Sequence, residues 1–119
     1  MEVMDEKDVK RRLHLVIEWG FCCIVCGEEF ANLACVTYEH TTPKSMGGKQ
    51  GENLAPSHYN CNKYRGAKSL VEADISIKFK RRLMGESAFR VWLARPVPTR
   101  IVPPIALLDI QSVLTMYRD

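Results

Sequence analysis

The sequence has no apolar run approaching the roughly 20 residues that a membrane-spanning helix needs, so no such span is expected. It has no internal repeat and no low-complexity tract, which sets aside solenoid and linker architectures. Its first residues, Met1-Glu2-Val3-Met4-Asp5-Glu6, lack the basic character of a signal or transit peptide. A cytoplasmic setting is the resulting expectation, and there cysteines favour metal binding or free thiols over disulfides. The five cysteines are an odd number, so complete intramolecular pairing is excluded. Nor is there a large excess of one charge. The net of +3 is only a weak pointer to an anionic partner.

What remains is an ordinary globular composition, 46% hydrophobic and 26% charged, in a chain whose 119 residues suit one domain. Its charge is unevenly spread. Residues 67–119 carry nine basic and five acidic side chains, whereas residues 22–66 carry four of each. The densest basic cluster is Lys78-Phe79-Lys80-Arg81-Arg82. Taken alone, such a cluster reads as a solvated helix face.

Asp5 to Trp19 is predicted as a helix, with Val9, Leu13, Val16 and Ile17 forming one apolar stripe, Asp5 as N-cap and Gly20 as the stop. His14 lies beside that stripe, where a surface or packing role is expected. Cys22 to Phe30 reads as a tight knuckle. Ala34 to Tyr38 reads as a short strand ending at Glu39-His40, and Thr41 to Gly51 as a loop punctuated by Pro43 and Gly47-Gly48. A return strand is expected around Leu54. Pro56-Ser57 should then precede a helix from about His58 to Tyr64. Ser69 and Glu72 form a capping-box pattern for a helix running to Met84, with Gly85 at its end and a further turn or two over Ser87 to Leu93. Arg95 to Pro104 contains four prolines and is predicted to be extended. A last helix is expected over Ala106 to Tyr117, with Leu107, Ile110, Leu114 and Tyr117 on one face.

Two soft-ligand pairs bracket the centre of the chain. Cys23-x-x-Cys26 lets one turn aim two sulfurs at a point, and His58-x-x-Cys61 repeats the device from a helix start. With 31 residues between the pairs, a structural Zn²⁺ would staple the motif's beginning to its end. Cys22 offers a competing spacing to Cys26, but Cys23 matches the other pair. Cys35, lacking a near partner, is expected to be buried.

The ordered set Glu39-His40, Pro43, Gly47-Gly48, Asn53-Leu54, Cys61-Asn62 and Arg65-Gly66, flanked by the metal pairs, resembles the HNH endonuclease family over about residues 20–68. The resemblance implies an α+β fold. Its zinc-stapled ββα-metal (His-Me finger) core would have flanking helices, those of residues 69–119 forming a C-terminal extension. It also implies that His40 is the general base and that Glu39 and Asn62 hold a catalytic divalent ion, Mg²⁺ or Mn²⁺, with Asn53 bracing the loop. Glu39 stands where the family often has aspartate, and His58 where it commonly has a cysteine. The alternative of His58 as the motif's final catalytic histidine would leave Cys61 without a paired ligand.

Elementary chemistry agrees. An imidazole titrates near neutrality and can take a proton from water. A carboxylate and an amide oxygen suit a hard cation. The expected activity is hydrolysis of phosphodiester bonds in double-stranded DNA by a monomer or homodimer, alone or within a phage packaging or restriction complex. Lys63, Arg65, Lys78, Lys80, Arg81 and Arg82 are the candidate contacts to the nucleic-acid backbone, which position a duplex without reading it. The competing expectation is a zinc-stapled nucleic-acid-binding module without catalysis.

Overall fold

The computed structural model describes residues 3–40 and 54–117, and for Glu39 and His40 the description extends to the backbone. Asn53 and the predicted loop over Thr41 to Gly51 lie outside these residues.

Helix α1 spans Glu6–Trp19. Asp5 caps it, accepting from the Asp8 N–H at 2.9 Å while the Asp8 carboxylate accepts from the Asp5 N–H at 3.2 Å. Gly20 closes it at φ 81°, a left-handed angle that a side chain resists, and donates to Val16 and Ile17 carbonyls. Val9, Leu13 and Val16 are buried as predicted. Ile17 is 44% exposed, because at 100° per residue it sits at the rim of the arc that those three define. Arg12 fills the stripe's other edge. Its guanidinium is buried and donates from Nε to the Val36 carbonyl at 2.9 Å, fastening α1 to the start of the sheet.

A tight 3-10 turn at Leu33–Cys35 leads into β1, Val36–His40. Its antiparallel partner β2 is Leu54–His58, in a register that sets Val36 opposite His58 and His40 opposite Leu54. Pro56 and Ser57 therefore lie inside the strand rather than ahead of the helix. Proline is tolerated because Pro56 faces away from β1. Its carbonyl accepts from the Ile24 N–H of the knuckle at 2.9 Å, so the missing N–H costs no ladder bond. Helix α2, Tyr59–Arg65, follows β2 with no intervening loop, and His58 is its N-cap residue in an extended conformation.

Helices α3, Leu70–Met84, and α4, Glu86–Leu93, are joined by Gly85 alone. Ser69 caps α3, accepting from the Glu72 N–H at 3.2 Å. The proline-rich strap is extended until Pro104, where a second 3-10 turn, Pro104–Leu107, begins. The strap holds by its backbone: Val97 N–H donates to the Ala34 carbonyl at 2.7 Å, and Met4 N–H to Ile101 at 3.1 Å. The predicted single helix over Ala106 to Tyr117 is divided. Asp109 accepts from the Ser112 N–H and starts α5, Ile110–Met116, afresh. This turns Ile110 and Val113 inward and leaves Leu107 exposed.

The core gathers α1, both tight turns, and the inner faces of α3, α4 and α5, with Leu33, Val36, Phe89, Leu93 and Val113 at its heart. Among the described residues no helix is long and apolar enough to cross a membrane. Phe89 is fully buried and stacks on Trp92, with ring centroids 5.8 Å apart. Phe89→Ala should lower unfolding free energy by about 3–5 kcal/mol in urea titrations of the metal-loaded protein. Gly20→Ala, which only strains the α1 cap, should cost about 1 kcal/mol.

Candidate metal centre and the helix beside it

The knuckle is a short hairpin-like turn. Cys22 pairs with Glu29 in an antiparallel bridge, and Cys23 exchanges backbone bonds with Glu28 and Gly27, each at 2.9 Å. Gly27 makes the turn at φ 78°, where a β-carbon would be strained. The result points Cys23 and Cys26 towards the β2–α2 junction.

There they meet His58 and Cys61. The three sulfurs and one imidazole nitrogen all lie within 4.8 Å of one another. His58 Nδ1 is 3.4 Å from Cys26 Sγ and 3.9 Å from Cys61 Sγ. A tetrahedral Zn²⁺ with bonds of about 2.3 Å to sulfur and 2.0–2.1 Å to nitrogen sets ligand atoms about 3.6 Å apart along a sulfur–nitrogen edge. The donor set and spacing therefore fit a structural metal such as zinc. Cys22, the competing cysteine, stays outside the cluster, and Cys35 is buried as expected.

The surroundings are built for charge on sulfur. Backbone N–H groups of Val25 and His58 each donate to Cys23 Sγ at 3.4 Å, and that of Glu28 to Cys26 Sγ at 3.5 Å. With Nδ1 turned to the sulfurs, the His58 proton belongs on Nε2, which lies 3.3 Å from the Glu29 carbonyl; this bond orients the ring. Phe30 covers it, centroid to centroid 4.6 Å. His58 reaches the cluster as the last residue of β2, and Cys61 as the third of α2. The two were expected to share a helix turn. Instead the strand delivers one ligand and the helix the other, because the helical angles begin only at Tyr59.

Burial pushes the Cys23 thiol up, but hydrogen bonds from Cys26, Cys61 and His58 outweigh it and hold Cys23 well below its ordinary value. Bonding to Cys23 in turn raises Cys26 to about 12, and Cys61 is raised as well, chiefly by its bonds to Cys23 and Cys26.

Glu28, on the knuckle's far side, ties this centre to the C-terminal helices. Its two carboxylate oxygens accept from Arg81 Nη1 and Arg90 Nη1, both at 2.9 Å, and Glu86 bridges the same two arginines. Arg90 first, then Arg81, hold the Glu28 carboxyl below the usual range. Nothing in the spacing of the sequence announced this network.

The other predicted site residues fall as follows. Asn62, on α2, donates from Nδ2 to the Tyr38 carbonyl of β1 at 3.2 Å. Glu39 and His40 follow Tyr38 as the last two residues of β1, their backbones paired with Ala55 and Leu54. Lys63 is exposed on α2, its Nζ 5.5 Å from the Tyr59 ring centroid. Arg65 is buried and donates from Nε to the Lys68 carbonyl at 2.8 Å. Lys80 lies over the Tyr64 and Trp92 rings, at 4.9 and 5.1 Å. Arg81 is held in the Glu28 network, whereas Lys78 and Arg82 are exposed, Lys78 pairing with Asp74 at 3.0 Å. Asn60 carries a bond that sequence reasoning passed over: its Nδ2 donates to the Trp92 carbonyl at 2.8 Å, locking α2 to α4.

Metal removal should unfold the protein. Structural zinc in small domains supplies an apparent 10–16 kcal/mol or so, as much as the roughly 5–15 kcal/mol net stability of a typical domain. Chelation should therefore abolish the cooperative thermal transition seen by circular dichroism, and Cys61→Ser should do the same. Near neutral pH, binding to the unfolded metal-free chain should release about three protons, those of Cys23, Cys26 and Cys61, so that affinity climbs with pH. Calorimetry in buffers of differing ionisation enthalpy reads that number directly.

Residues 23–68 match the family model described as HNH endonuclease. No curated protein and no solved structure matches the chain. The matched stretch starts at the first cluster cysteine and ends just past α2, so it takes in β1, β2, α2 and all four metal-ligating side chains. The similarity to the HNH endonuclease family thus lies in this stretch, 46 of the chain's 119 residues.

Proposed function

We propose that this protein is a metal-dependent endonuclease that hydrolyses phosphodiester bonds in DNA. His40 is its general base, Glu39 and Asn62 hold a hard divalent ion, Mg²⁺ or Mn²⁺, and Asn53 braces the connection between the strands. The observation that carries this reading is the bond from Asn62 to the Tyr38 carbonyl. It fixes the amide of α2 against β1 within two residues of His40, and its donor is nitrogen, which leaves the amide oxygen for a cation. A hard ion held there would offset charge on the phosphate and on the departing oxygen.

The chain's own groups divide the remaining work. The His40 imidazole accepts the proton of the attacking water at a ring nitrogen, a task suited to a group that titrates near neutrality. The metal cluster holds the β2–α2 junction rigid, so that the helix keeps its distance from β1 as substrate binds. Lys63 and Lys80 extend a positive surface from α2 to α3, fit for backbone phosphates. Arg65 and Arg81 would have to leave their internal contacts to join them.

A plasmid-nicking assay on the zinc-loaded protein tests the reading. Addition of Mg²⁺ or Mn²⁺ should convert supercoiled plasmid to nicked circles. His40→Ala should slow this by about 10²–10⁴-fold while its zinc content stays that of the parent. Asn62→Ala should raise the Mg²⁺ concentration needed for half-maximal rate, and Asn62→Asp should keep it low. A parent protein that leaves plasmid intact with every divalent ion, yet retards it in a gel, would instead be a zinc-stapled binding module.

A further inference from the structure

Helix α3 buries Ala73 and Ile77 and leaves its opposite side uncovered. On that side Val71, Ile75, Phe79 and Leu83 recur at every fourth residue, exposed to 72%, 63%, 62% and 76%. At 100° per residue they form one continuous ridge about 120° wide. A surface helix of a monomer carries polar residues there. Four large apolar side chains in a row are a patch that a partner covers.

The order of the residues says which partner. About position 77 the outward face is a mirror of itself in kind. Val71 and Leu83 stand six residues to either side, both aliphatic. Ile75 and Phe79 stand two to either side. Glu72 and Arg82 stand five to either side, with opposite charges, both exposed and within the same 120° arc. A second copy of the helix laid antiparallel, with a two-fold axis crossing the ridge at the level of position 77, therefore brings like apolar residues and opposite charges together. Ile75 then shares a layer with Phe79 of the second copy, and Glu72 shares one with Arg82, each twice, while Val71 and Leu83 extend the apolar contact along the two flanks. That reciprocity is what an isologous interface requires. Antiparallel packing also opposes the two helix dipoles favourably. A parallel pair would set Glu72 beside Glu72 and Arg82 beside Arg82.

We infer that the protein forms a two-fold dimer through α3, with its partner a second copy of the same chain. The apolar ridge supplies the attraction, and the Glu72–Arg82 pairs set direction and register. One helix from each copy makes a small contact, at the low end of specific interfaces, so the dimer should dissociate on dilution. The inference draws on no part of the nuclease reading and survives if that reading fails. In the dimer Arg82 faces the partner rather than a nucleic-acid backbone.

Sedimentation equilibrium on the zinc-loaded full chain, over about 1–300 µM, provides the test. A reversible transition from the 13.6 kDa monomer to twice that mass is expected, with a dissociation constant of about 10 µM. Phe79→Asp lies on an exposed position, so the melting curve should survive while dimerisation weakens by at least about 100-fold. Arg82→Glu should weaken it about tenfold, and combining it with Glu72→Arg should restore affinity to within about threefold of the parent. A chain that stays monomeric throughout, leaving the ridge for some other protein, overturns the inference. So does a dimer that Phe79→Asp leaves intact, or one that the double exchange fails to rescue.

Discussion

Four soft ligands converging on one point are the constraint from which the rest of the domain follows. Cys23 and Cys26 come from a turn that exists only because Gly27 accepts a left-handed angle. His58 and Cys61 come from either side of a strand–helix boundary. A two-stranded sheet is too small to be stable by itself. Here the knuckle docks on β2 through the Ile24–Pro56 bond, α1 fastens β1 through Arg12, and α2 leans on β1 through Asn62. Each fastening reaches only one element. The metal cluster is where knuckle, strand and helix are all held together.

The C-terminal half is joined to that centre by two different kinds of force. The bond from Asn60 to Trp92 and the stacked Phe89 and Trp92 are buried or partly buried, and so insensitive to salt. The Glu28–Arg81–Arg90–Glu86 network lies at the surface, where each pair is worth little, but where a shared carboxylate fixes two arginines at once. Three of its four members come from the basic, helical extension. The extension is thus packed and bonded directly against the matched stretch.

What could be read from the residues alone was mostly what is local. Caps at Asp5 and Ser69, stops at Gly20 and Gly85, and the two ligand pairs all announce themselves within four residues, and the structure keeps each. The readings that moved depended on partners distant in sequence. Pro56 reads as a break until its carbonyl is seen to serve the knuckle rather than β1. Ala106 to Tyr117 reads as one helix until Asp109 and Ser112 compete for its backbone. Arg81 reads as one cation among several, since a charge run does not say which member turns inward, and its partner Glu28 lies 53 residues away. Of the residues that the family resemblance marks for catalysis, Asn62 could be placed against β1. The roles of Glu39, His40 and Asn53 continue to rest on the order of the motif.

The direct passage from β2 into α2 at His58 leaves the domain a fixed reading frame across that joint. A single residue added within β2 would send the strand's side chains to the opposite faces of the sheet. One added after His58 would rotate Cys61 by about 100° around its helix. Either way one ligand leaves the cluster. Length variation in this lineage should therefore be barred from the segment 54–61, however freely it accumulates elsewhere, and a designer transplanting the motif must carry those eight residues as a unit.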